Sequence, residues 1–162
     1  MSMTAKDNSA AIGSPIARKS AARLAAVQAV YQMGLNDQKA PEVIAEFMEH
    51  RLGKSVDGEA MVRADGILFE QVVRGLELRI EDAKGLVTQA LGKRGGEGKS
   101  AGVEPLLHAI LLCGTYELMA QGMTDAPIII SDYVNVAHSF YEDGAPQLVN
   151  GVLDTVSKAV RS

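Results

Sequence analysis

Apolar residues fall at Val149, Val152, Leu153, Val156 and Val160, the i, i+3, i+4, i+7 spacing by which a helix buries one face. Into that stripe the chain sets Asn150-Gly151, a pair that between two strands would mark a hairpin. Pro146, just after Gly144, stands where the first residue of a helix belongs, so the pair falls about one turn inside a helix. A glycine there costs roughly 1 kcal/mol relative to alanine, which implies a close neighbour needing the space of a Cβ. The whole stretch predicts helix packed tightly on helix.

The same punctuation recurs upstream. Ser14-Pro15 reads as cap and first residue of an alanine-rich helix to about Met33, stopped by Gly34, with Leu24, Val27 and Tyr31 on its apolar side. Pro41-Glu42 opens a second helix through about Leu52. A long helical pattern from about Glu59 to Leu91 is expected to break near Gly75 or Arg79. Glu104-Pro105 opens a helix apolar almost all round through Leu112, hence central, and Gly114 within it marks another tight crossing. Ile128-Ile129-Ile130 has no partner strand and reads as a buried lead-in to a helix capped by Ser131, running to about Phe140. The fold class is therefore all-α, a single-domain bundle of about seven helices, with Val27, Leu111, Val149, Val152 and Leu153 leading the core. Residues 1–13 read as a disordered tail. The helical domain, 14–162, divides into a front subdomain (about 14–92), a flexible linker (about 93–102) and a back subdomain (about 103–162).

Chemistry-bearing patterns are sparse. The segment from Gly92 to Gly102 resembles a phosphate-binding loop only superficially, because Gly92 and Gly98 enclose five residues instead of four and a helix precedes them. His50, His108 and His138 lie in no metal-ligand spacing, and no nucleophile is paired with a base, so neither a catalytic nor a metal site, nor any cofactor, is expected. Cys113, the lone cysteine, sits in an apolar run and reads as a small buried hydrophobe. With no tryptophan, four tyrosines and three phenylalanines, broad stacking platforms are not expected. No apolar segment approaches the roughly 20 residues of a membrane span, and Met1 to Ser14 lacks a signal peptide's apolar core, so a cytoplasmic protein is expected.

Charge is unevenly placed. The net charge is −4, yet up to Leu35 four cations (Lys6, Arg18, Lys19, Arg23) face only Asp7, a local +3 that leaves −7 for the rest. An acidic chain with one basic end still attracts phosphates through that end.

Four segments carry a family resemblance. Val149-Asn150-Gly151-Val152-Leu153-Asp154, Ala26-Val27-Gln28-Ala29-Val30-Tyr31 with Tyr116-Glu117-Leu118, and Ser131-Asp132-Tyr133-Val134-Asn135-Val136-Ala137-His138 together resemble the bacterial transcription antitermination factor NusB family. The resemblance runs from about Arg18 to the C-terminus. It implies a non-enzymatic, all-helical protein that binds single-stranded boxA-like RNA of ribosomal RNA transcripts. The implied partners are the small ribosomal subunit protein NusE and an elongation complex with other Nus factors; some members form homodimers.

By the same resemblance, Arg18, Lys19 and Arg23 match the family's arginine-rich run and would meet phosphates, with Tyr31 beside the RNA and partner surface. Ser20, Ala21 and Leu24 stand where the family often carries charge, so the run is thin. Gln147, in the loop ahead of the last helix, takes the place of a basic residue and would lie near the bases, while Leu148 replaces a phenylalanine. His108 and Leu112 occupy positions where the family often has arginine, and would face the protein partner. The rival reading, the RNA-binding domain of a ribosomal RNA cytosine methyltransferase, needs a methyl-donor domain for which no glycine-rich strand-to-helix turn is found. A stand-alone or homodimeric helical module is the further alternative.

Overall fold

A computed structural model describes residues 13–52, 62–93 and 103–161. Among them are seven helices and no strand: α1 (Pro15–Asn36), α2 (Ala40–His50), α3 (Gly66–Leu78), α4 (Ile80–Lys93), α5 (Pro105–Ala120), α6 (Ala126–Phe140) and α7 (Ala145–Val160). The expected tail, apart from Gly13, and residues 94–102 of the expected linker lie outside the described residues.

Helix starts follow local chemistry. Ser14 Oγ accepts from Ala17 N at 3.0 Å, a cap that contributes about 1 kcal/mol, with Pro15 fixing the first helical φ. Asp65 caps α3 in the same manner, through Leu68 N at 3.0 Å. The α2 cap, Lys39, makes no side-chain bond of its own. Glu77 of α3 supplies it instead, accepting from Ala40 N at 2.8 Å.

Three boundaries differ from the sequence reading. The helix expected from about Glu59 begins only at Gly66, where Asp65 caps it, and residues 62–65 are not helical. Gly34 does not stop α1, which continues to Asn36 and ends where Asp37 turns left-handed at φ 54°. The three isoleucines are helical, since α6 begins at Ala126 behind Asp125, with Pro127 in its first turn, and Ser131 is an ordinary exposed helix position. The long pattern breaks at Arg79, whose backbone N–H closes onto Gly75 and Leu76.

Helix α5 is the axis of the bundle. It packs against α1, α3, α4, α6 and α7, which explains why apolar residues surround it. Although α4 precedes the expected linker, it lies on α5 and α7 and only lightly on α3. One continuous core joins all seven helices, and Val27, Leu111, Val149, Val152 and Leu153 are each fully buried in it. Each such side chain contributes roughly 1.5–3 kcal/mol.

The tight crossing expected at Gly114 is present, where α7 meets α5. Asn150 is exposed and Gly151 half-buried; it is Leu153, one turn on, that presses into α5. A Cβ at Gly114 would come within 2.7 Å of Leu153 Cδ1, so the missing atom belongs to α5. Gly75 plays the equivalent part on α3, where a Cβ would overlap the Tyr116 hydroxyl. At the far end of α5, Arg161 donates to carbonyls at and just beyond the helix C-terminus: Leu118 at 2.9 Å, Gln121 at 2.7 Å and Thr124 at 2.7 Å.

Candidate nucleic-acid and partner interface

Helix α1 carries most of the expected binding residues, and the bundle sorts them by depth. At its N-terminal end Lys19 is exposed and Arg18 half-buried. Arg18 Nε donates to the Arg63 carbonyl at 3.0 Å, and the Arg18 carbonyl accepts from Asp65 N at 3.0 Å, which ties the segment before α3 to the first turns of α1.

Arg23, expected as a third phosphate contact, points inward and is only 3 % exposed. Its guanidinium takes Glu117 of α5 bidentately, Nε to Oε2 at 2.7 Å and Nη2 to Oε1 at 3.0 Å, while Nη1 reaches Asp132 of α6 at 2.7 Å. Tyr133 Oη donates to Glu117 Oε2 at 2.5 Å, and Ser20 Oγ donates to Asp132 Oδ1 at 2.8 Å. Burial opposes the charge on Arg23, but the two carboxylates outweigh it and hold the guanidinium firmly protonated. Tyr133 is kept neutral, first by burial and then by the Glu117 charge. The cluster fastens three helices, and it takes Arg23 out of the exposed basic run.

The lone acid in α5 held the clue to this. Glu117 lies at a buried position of a mostly apolar helix, and a buried carboxylate must find a cation. Arg23 was the available one, though 94 residues away.

The other end of α1 opens instead of closing. Tyr31, His108 and Leu112 line one groove of about 510 Å³ between α1, α3, α4 and α5, so the structure brings together one residue expected near RNA and both expected to face a protein partner. Buried Leu76 and Leu112 and half-buried Ile80 form its apolar floor, and Lys39 and Lys84 contribute positive charge beside the acids Asp37 and Glu77. Leu35 lines it too and is 60 % exposed. His108 is half-buried, and burial, then the Lys84 ammonium, holds its imidazole below the usual pKa. Thirteen residues of helix separate Arg18 from Tyr31, about 20 Å at 1.5 Å per residue. The expected contacts therefore form two surfaces on one helix.

Gln147 stands apart from both sets on α7, exposed in its first turn. The loop before it is held to α5 by a hydrogen bond from the Tyr141 hydroxyl to the Glu104 carboxylate. Cys113 is fully buried with its thiol pushed up by burial and by the Glu117 charge, which makes it a poor nucleophile. Among the described residues no cluster of His, Cys, Asp or Glu is arranged to hold a metal ion, and no helix is long and apolar enough to cross a membrane.

Comparison with known proteins places this architecture. A family model described as the NusB family matches residues 20–158, from the first turns of α1 to the last of α7. The transcription antitermination protein NusB of Allorhizobium ampelinum is 40% identical over 144 residues, covering 89% of this chain and 88% of that protein. The protein of the same name from Mesorhizobium japonicum is 41% identical, covering 89% and 91%. Among solved structures, a chain of the antitermination factors NusB and NusE in complex with double-stranded RNA superposes with a TM-score of 0.69 at 19% identity, covering 88% of this chain and 97% of that one. T. maritima NusB gives 0.67 at 18% identity, covering 86% and 90%. Shared helices from end to end, and sequence identity held across nearly their full length, lead to one conclusion: the chain belongs to the NusB family.

Proposed function

We propose that this protein is a transcription antitermination factor that binds boxA-type RNA of ribosomal RNA operon transcripts together with the small ribosomal subunit protein NusE, in the cytoplasm and without catalysing a reaction. The observation that carries the reading is the match, across about nine-tenths of both chains, to relatives named as transcription antitermination proteins. The geometry favours it over a homodimeric module that binds nothing else. A basic helix end and a partly apolar groove about 20 Å apart allow RNA and protein to occupy the molecule together.

In this reading Arg18 and Lys19 meet phosphates, which supply affinity but no sequence information, while Gln147 lies near base edges. Tyr31, His108 and Leu112 form the wall on which the protein partner rests. The thin basic end leaves RNA binding weak until the partner adds its own surface. Anisotropy titration of boxA-like and scrambled single-stranded RNAs, with and without NusE, tests this. The expected result is tightest binding for boxA with the partner present; equal binding of both RNAs, unchanged by the partner, would overturn the proposed function.

A further inference from the structure

Withdrawing Arg23 into the bundle leaves the basic end with two cations, yet the same hydrogen bonds that fix Arg18 bring up a third from another part of the chain. Resting on the proposed RNA-binding function, we infer that Arg63 is a phosphate contact that completes the cluster with Arg18 and Lys19. Nothing in the sequence near Arg63 marks it, because it lies 45 residues from Arg18 in a non-helical stretch ahead of α3.

The fold supplies the proximity. The Arg63 carbonyl receives Arg18 Nε at 3.0 Å and Asp65 N donates to the Arg18 carbonyl at 3.0 Å, so the residue-63 backbone lies against the Arg18 side chain. Arg63 is exposed and has no ion-pair partner among the described residues, in contrast to Arg74 and Arg79, which pair with Glu70 and Asp82. Among the described residues, the two acids nearest in sequence are also engaged. Asp65 caps α3 through Leu68 N, and Glu70 is taken by Arg74. The positive end of the 22-residue α1 dipole points to the same place. Arg18, Lys19 and Arg63 thus stand on two chain segments that one side-chain-to-backbone and one backbone hydrogen bond hold together.

The test is the salt dependence of RNA affinity for the full chain with NusE, using a short boxA-like single strand and its scrambled counterpart. One phosphate contact on a single strand contributes about −0.7 to the slope of log affinity against log salt. Arg63→Gln should therefore flatten the slope by about that amount and weaken both RNAs about five-fold near 0.1 M salt, shrinking to less than about two-fold near 0.5 M. Arg63→Lys should retain the slope. Arg63→Gln should leave the unfolding midpoint unmoved, so the loss is not one of folding. An Arg63→Gln protein with wild-type slope and affinity would overturn the inference while the wild type still binds RNA. A wild type that binds no RNA would instead remove the proposed function, and this inference with it.

Discussion

Arg23 and Tyr31 lie eight residues apart on the same helix, and the bundle treats them oppositely. Around Arg23 every charge is answered from within: Glu117 is wholly buried, Asp132 side chain is 14 % exposed, and each is bonded to a neighbour. Around Tyr31 the helices part, leaving lysines, a half-buried histidine and exposed leucine beside open volume. The first region sets how the helices sit, since buried ion pairs contribute more to geometry than to net stability. The second leaves its chemistry available to another molecule. Position in a basic run is thus a poor guide to exposure; depth and the presence of an internal partner decide.

The largest effect should come from breaking the closed region. Glu117→Ala strands the Arg23 guanidinium inside the bundle, and removing one partner of a buried pair costs about 3–5 kcal/mol. Denaturant unfolding should register it, and Arg23→Met combined with Glu117→Leu and Tyr133→Phe, which leaves no buried hydroxyl without an acceptor, should recover most of the loss. A single variant as stable as wild type would mean that the pair does not hold the three helices.

Next come the glycines. Gly114→Ala drives a Cβ against fully buried Leu153, and overpacking of this kind costs about 1–3 kcal/mol. Gly34→Ala, exposed in α1 with nothing within 4 Å, should stabilise by about 0.5–1 kcal/mol. Opposite signs for the two substitutions would sharpen the contrast between packed and open helix surfaces; matching signs would break it.

The smallest effect is titration in the groove. The folded chain lowers the His108 pKa from 6.5, so the unfolded chain takes up the proton first as pH falls. This contribution to stability is complete above about 6.5 and is lost as pH falls through the window between the unfolded and folded values. Comparing the wild type with His108→Gln from pH 7.5 to 5 isolates it. The variant should lose less stability across that range.

Much of this architecture was legible because its signals are local. Ser14-Pro15, Glu104-Pro105 and Gly144-Pro146 each mark a helix start within a few residues, and the apolar periodicity named core positions that prove fully buried. Asp125-Ala126-Pro127 carried the same signal ahead of the isoleucines, but their β-branching obscured it. The site was less legible because its decisive contacts join residues distant in sequence. Arg23 reads as one cation in a basic run until Glu117 and Asp132 come beside it, and Arg63 acquires a context only once α3 docks on α1. Tyr31, His108 and Leu112 converge because α1 and α5 run antiparallel, bringing Glu117 to Arg23 at one end and His108 to Tyr31 at the other.

The central claim is that RNA and protein partner occupy separate surfaces on α1, and a crossed titration tests it most directly. Two variants, Arg18→Gln/Lys19→Gln and His108→Glu, are each titrated with NusE alone and with boxA-like RNA alone. The first should bind NusE as the wild type does while its RNA affinity falls about ten-fold or more near 0.1 M salt, at about −0.7 in slope per lost contact. The second should keep its RNA affinity and lose NusE affinity at least several-fold. Loss of both ligands in both variants, with the fold intact, would contradict the account and place RNA and protein on one shared surface.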